Sequence, residues 1–292
     1  MTALIEREFY EHRGAFLYAP IVLLIIMTVA ILFAMLSGHG EFDLPPTQLP
    51  LGDAVYRVGV AGAFLIWSVY LIVGLFFYYA DSFSADRRNN TLLFWKSMPQ
   101  SDLKILTSKA LSGITIFLAL ISVFAIVTAV IIYGVLLIAS ALFPVITAPD
   151  LLGALWSLFQ TGIVGVFFLA LTVLWYAPGL AWVAGLSTLF RRWSIPLAFL
   201  IPGTVILLEY LNTIRSSVDS RPVADFLSWR FEGFLDETQA VTILFGQGDN
   251  APFALLRTML ADIDWVQMAI GLAFTAIVVY LASEYRRRRI EA

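Results

Sequence analysis

The sequence predicts an all-α membrane protein with about six transmembrane helices, on three observations. Of its 292 residues, 60% are hydrophobic and 13% charged, where a soluble domain carries roughly 25% charged residues; mean hydropathy is +0.86. The apolar residues gather into blocks that reach the ~20 residues a helix needs to cross a bilayer. A water-soluble chain would have to bury all of these blocks in one core. The basic residues, finally, collect between alternate blocks, as in a chain that crosses a membrane repeatedly.

The stretch Met1 to Gly14 reads as an amphipathic helix. Ile5, Phe9, His12 and Phe16 follow one helical stripe, with Glu6, Arg7, Glu11 and Arg13 on other faces. Two readings fit: a helix lying in the membrane interface, or a polar extension of the first span. The run Ala15 to Leu36 is span one. It is longer than the apolar part of a signal peptide, its flank Glu6-Arg7-Glu8 mixes charges, and no A-x-A site follows, so a retained N-terminus is expected. Spans two to six are predicted at 58–79, 110–142, 156–189, 194–211 and 265–283. Spans three and four exceed a bilayer's need, which predicts tilt or protrusion. Pro178-Gly179 and Pro202-Gly203 are weak points in spans four and five, because proline removes a backbone donor and crowds the preceding turn. Two longer segments remain, 80–109 and 212–264. The second has turn signals around Ser220-Arg221-Pro222 and Gly246 to Asn250, separated by the semi-apolar stretches 223–235 and 251–260, which predict short helices at the membrane face. No repeat or low-complexity region divides the chain, so 1–292 is read as one membrane domain.

Orientation follows from Lys and Arg. Placing the N-terminus in the cytoplasm puts 13 of the 18 basic residues inside, and leaves Arg57, Arg215, Arg221, Arg230 and Arg257 outside. The positive-inside rule favours that arrangement, and an even number of spans returns the C-terminus to the cytoplasm. The run Arg286 to Arg289 after span six reads as a stop-transfer anchor drawn to anionic headgroups, with partner binding as the other reading.

Several chemistries have no residues to carry them. The chain has no cysteine, and His12 and His39 stand in separate segments with no carboxylate cluster evident near either. There is no G-x-x-x-x-G-K-[ST], so no Walker-type nucleotide loop, and no H-E-x-x-H or G-x-S-x-G. We therefore expect no catalytic, metal or cofactor-binding residues on this chain. Basic residues flank spans rather than forming a stripe with aromatics, which argues against nucleic acid as a partner. The Trp, Tyr and Phe residues suit contact with membrane lipids.

The segment after span two is the most informative. Asp86-Arg87-Arg88 starts it, the apolar patch Leu92-Leu93-Phe94-Trp95 follows, then Lys96, and Pro99 breaks the chain. Ser101 or Asp102 can cap a new helix through a side-chain oxygen. A short rigid element with an apolar patch and charged flanks suits docking into a groove of a soluble partner; an interfacial loop with Phe94 and Trp95 among the headgroups is the alternative.

This stretch, Tyr79 to Asp102, resembles the first cytoplasmic loop of bacterial ABC-2 type transporter permeases. The carrying residues are Asp86-Arg87-Arg88, the core Leu93-Phe94-Trp95-Lys96-Ser97-Met98-Pro99, the pair Ser101-Asp102, and Ser108-Lys109 entering the next helix. They cover about a tenth of the chain; the overall order of elements agrees along the rest. The resemblance implies a permease subunit in the bacterial inner membrane, most often of an exporter. It implies a second permease chain, identical or similar, and separate cytoplasmic ABC ATPase subunits that hold ATP and its magnesium. The loop would be the coupling helix, the turn Arg191-Arg192-Trp193 a second contact with the motor, and 212–264 the cap of the exit. An ion-coupled secondary transporter is the competing reading, but the spans are nearly free of charge and show no repeat. A membrane scaffold without transport is another.

Glu209 is one acidic residue within a span. Counted from Ser194 it lies about 22 Å along span five, inside a core about 30 Å thick. Either it lines the translocation path, or span five ends a turn earlier and Glu209 meets water, Arg215 or Arg221.

Overall fold

The computed structural model describes residues 2–37, 51–88, 101–143, 146–190, 193–216, 220–233 and 251–291. Among them the structure is helical, without strands. The elements are α1 (Thr2–Arg13), a π-helical stretch (Gly14–Tyr18), α2 (Ala19–Leu36), α3 (Leu51–Arg88), α4 (Asp102–Ser112), a second π-helical stretch (Gly113–Phe117), α5 (Leu118–Leu142), α6 (Leu151–Phe190), α7 (Ser194–Ser216), α8 (Pro222–Glu232), α9 (Ala251–Asp262) and α10 (Trp265–Glu291). Among the described residues, six stretches are long and apolar enough to cross a membrane: Glu6–Phe33, Gly52–Phe83, Asp102–Leu142, Leu151–Phe190, Ser194–Arg215 and Trp265–Arg288. The protein is an all-α, multi-pass membrane protein.

The spans are longer than hydropathy alone draws them. The segment expected as a loop from residue 80 is helical to Arg88, and the next helix begins at Asp102. Ser101 takes the N-cap position, its side chain accepting from the Lys104 N–H at 3.3 Å, with Asp102 in the positively polarised first turn. Helix α6 has 40 residues, about 60 Å against a core of about 30 Å. The length of span four fits the expected tilt or protrusion, and Pro178 lies within the helix without ending it.

At the N-terminus, the helix runs from Thr2 through the π-helical stretch into α2 without a break. This is the polar extension of span one rather than a separate segment. Its packed stripe is also displaced from the apolar one: Glu8 is buried together with Phe16, while Phe9 is only partly covered. The two π-helical stretches meet, with Phe16 and Phe117 stacked at 3.8 Å between centroids and 7° between planes.

The main core lies where α3 packs between α6 and α5, around Trp67, Leu71, Leu75, Phe117, Ile121 and Leu169. Small residues allow the closest approaches, as in other membrane helix pairs. A Cβ at Gly165 would stand 2.4 Å from the Phe64 ring, and one at Gly113 would stand 2.3 Å from the Tyr79 hydroxyl. A second cluster joins α6 to α9 and α10 through Val164, Leu171, Trp175, Met259 and Met268. The two short helices expected between spans five and six are α8 and α9.

Candidate functional site

The resemblance motif falls largely outside the described residues: Leu93, Phe94, Trp95, Lys96 and Pro99 lie there, as do Arg191 and Arg192. Asp86, Arg87 and Arg88 form the last turn of α3, and Ser101 and Asp102 the start of α4. The structure thus describes the base on which the loop stands.

That base is a charged clamp. The Lys109 ammonium donates to the Ser82 carbonyl at 2.7 Å and lies 3.8 Å from a Glu8 carboxylate oxygen. The other Glu8 oxygen accepts from the Tyr78 hydroxyl at 2.9 Å. Glu8 is 2% exposed and Lys109 1%. The Tyr79 hydroxyl donates to the Ala110 carbonyl at 2.7 Å. Span two, span three and the N-terminal helix are thereby tied together beneath the loop. On its other side, Arg286 Nε sits 3.0 Å from Asp102 Oδ1, with Arg286 1% exposed. The Ser187 and Ser194 hydroxyls donate to the Tyr79 and Ala80 carbonyls at 3.4 and 3.3 Å, which brings the turn between α6 and α7 to the same base. The N-terminal helix, the end of α10 and the described helix ends that flank residues 89–100 and 191–192 therefore share one end of the bundle.

Two sequence readings change here. The Arg286 to Arg289 run is not a uniform anchor. Arg286 points into the bundle, while Arg287 and Arg288 are exposed and pair with Glu284 at 2.9 Å each. Nor is His12 without carboxylates: its ring and the carboxylates of Glu8 and Glu11 bring ligand atoms within 4.8 Å of one another, because residues three and four after Glu8 share its helix face. Glu11 is paired with Arg7 at 2.6 Å and Glu8 with Tyr78, so these charges are already satisfied.

Toward the other end, α8 is pinned at both of its own ends. Both Glu209 carboxylate oxygens accept backbone N–H groups, from Val223 at 2.9 Å and Ala224 at 3.0 Å. A carboxylate at a helix N-terminus meets unsatisfied donors and a favourable dipole. Arg230, near the other end, donates to the Trp175 carbonyl at 2.5 Å, and the Trp175 indole returns a hydrogen bond to the Arg230 carbonyl at 2.9 Å. The guanidinium stands 4.0 Å from the Trp175 ring centroid. Burial pushes its pKa down from the ordinary arginine value, opposed by Tyr176 and Asp264. Pro178 loosens the adjoining turn of α6, and a Cβ at Gly271 would come within 3.0 Å of the Arg230 guanidinium.

The depth of α8 follows from counting. Glu209 is fifteen residues from Ser194, Trp175 fifteen from Phe190, and Gly271 fifteen from Arg286. Each count is about 22 Å of helix. Helix α8 thus bridges spans four, five and six at one level of the bundle. Span five continues to Ser216 rather than ending early, and Glu209 serves as a helix cap.

Sequence reading missed Glu8, Arg230 and Trp175. The available signal was a carboxylate four residues before His12 and eight before Phe16, on the stripe that packs. It also missed a polar stripe on α6: Ser157, Gln160 and Thr161 are buried, and among the described residues their side-chain oxygens and the Gln160 amide nitrogen meet no hydrogen-bond partner.

Comparison with protein families, with characterised proteins and with solved structures finds no significant match.

Proposed function

We propose that this chain is the permease subunit of an ATP-driven ABC transporter of the ABC-2 type, an exporter in the bacterial inner membrane, working with a second permease chain and with separate ATPase subunits. The observation that carries the reading is the clamp. A loop that must transmit force needs a stiff base, and this one joins α1, α3, α4 and α10 by buried ion pairs and hydrogen bonds. In this reading ATP and magnesium are held by the partner. Closure of the ATPase pair pushes the loop. Lys109 and Glu8 pass the displacement to the N-terminal helix, and Asp102 and Arg286 pass it to span six. Differential affinity of the motor for the two conformations then drives the alternation. Helix α8, tied to spans four, five and six, follows those spans and gates the far side. Span five offers the second permease an apolar face, with Phe199, Leu200, Leu207, Leu208 and Leu211 exposed.

Replacing Phe94 and Trp95 together with Ala tests the reading. The variant should insert and fold, yet lose the co-purifying ATPase or its transport-coupled ATP hydrolysis. Normal association and normal coupling would show that the patch touches lipid only. Orientation has its own test, made simple by the absence of native cysteine. Ser97→Cys should resist an impermeant maleimide in intact cells and react after lysis; labelling from outside would reverse the topology.

A further inference from the structure

The π-helical stretch Gly14–Tyr18 interrupts the α-helical ladder between α1 and α2, and the sequence shows why. The wider turn gives the Ala19 N–H to the Gly14 carbonyl. In an α-helix that N–H would serve the Ala15 carbonyl. The next donor along the ladder would come from residue 20, but this is Pro20, which has no N–H. The Ala15 carbonyl is instead served from another helix: the Tyr70 hydroxyl of α3 donates to it. The Ala19 N–H thus has two carbonyls to choose between. Gly14 gives the π turn and Ala15 the α turn, and Tyr70 decides the choice by occupying Ala15.

The two sides of this stretch are held unequally. On the α1 side Glu8 is buried against Tyr78 and Lys109, and the His12 ring stands 4.7 Å from the Tyr78 ring. On the α2 side Ile25, Ile26, Val29 and Phe33 are exposed. A groove of about 420 Å³ leaves Ala15 and Ala19 open toward Tyr70 and Val73, and a Cβ at Gly14 would meet nothing within 4 Å. We propose that residues 14–18 are a swivel between α1 and span one, latched in the π form by the Tyr70 hydroxyl. Released, the Ala19 N–H moves to the Ala15 carbonyl and the turn becomes α-helical. This turns α1 by up to about 100°, one residue's step, and carries Glu8 away from Lys109. The inference does not depend on the transport reading. Under that reading, the swivel lets α1 follow the clamp while span one stays in the lipid.

Electron–electron distance measurements on the purified full chain test it, with spin labels at Tyr10→Cys and Trp193→Cys. Both positions are exposed, and the chain has no native cysteine. The latched protein should give one narrow distance. Tyr70→Phe should add a second population, displaced by up to about 8 Å for a label on a helix about 11 Å across. Adding Pro20→Ala restores a backbone donor, and the double variant should return to one narrow distance. The same cycle read by thermal unfolding covers the case in which Tyr70→Phe is too unstable to label. Tyr70→Phe should lower the melting temperature with Pro20 in place and change it little beside Pro20→Ala, because the two residues serve one carbonyl. A single unbroadened distance in folded Tyr70→Phe, or an equal melting loss in both backgrounds, would overturn the proposal.

Discussion

Lys109→Met is expected to destabilise the protein by about 3–5 kcal/mol, because it leaves the Glu8 carboxylate buried without its cation. Lys109 is 1% and Glu8 2% exposed, so water cannot take over the lost contact. The variant also removes the donor to the Ser82 carbonyl. The pair itself, at 3.8 Å, is loose, and its net value is therefore much smaller than the cost of breaking it. This distinction gives the test its form. Unfolding of the purified protein, followed by denaturant titration in micelles, should show a large loss for Lys109→Met. The double variant Glu8→Gln, Lys109→Met should recover part of that loss, since Gln still accepts from Tyr78 and the Glu8 charge is no longer stranded. An unchanged midpoint for Lys109→Met would mean that the N-terminal helix is not held by this clamp. Under the proposed function, the double variant should remain folded and yet transmit motor closure poorly.

Arg230→Leu is expected to release the C-terminal end of α8. The lost hydrogen bond to the Trp175 carbonyl is charge-assisted and contributes about 1.5–3 kcal/mol. The stacked cation on the Trp175 ring contributes up to about 2 kcal/mol when desolvated. These two terms share one side chain and do not add. Hydrogen–deuterium exchange should rise across residues 222–232 in the variant, while the core of α3 stays protected. Arg230→Lys keeps the charge but not the planar fork, and should give an intermediate result. Unaltered exchange in Arg230→Leu would show that Glu209 alone anchors α8. The two pins act on opposite ends of an eleven-residue helix, so losing one should increase dependence on the other.

Much of the fold was legible before any coordinates. Six apolar blocks, their order, the helices between spans five and six, and the Ser101 cap all follow from local rules: hydrophobic length, turn residues and a side-chain oxygen at the right offset. Span limits were less legible, for a physical reason. Helix α3 continues to Arg88 because a helix stops where its hydrogen-bond ladder stops, and hydropathy reports only where lipid stops.

The candidate site divides differently. Its loop motif was readable by resemblance, and its residues between 89 and 100 lie outside those described. Its base was not readable. Glu8, Lys109, Asp102 and Arg286 come from three regions far apart in sequence and meet only because the spans pack as they do. Nothing local distinguishes Arg286, turned inward, from Arg287 and Arg288, turned out; the 100° step of the helix and the position of Asp102 decide it.

Glu209 shows the boundary between the two kinds of information. From sequence alone, a carboxylate about 22 Å along a span must have a partner or a cavity, since charge in hydrocarbon is costly. That requirement was set by composition and helix geometry. Which partner satisfies it was set by tertiary structure: the return of the chain after span five places the N–H groups of Val223 and Ala224 against both carboxylate oxygens. The membrane environment, the number of spans and the need to neutralise each embedded charge are properties of the sequence, because they depend on residue type and local spacing. The pairing of those charges depends on distances between segments that only the packed bundle defines.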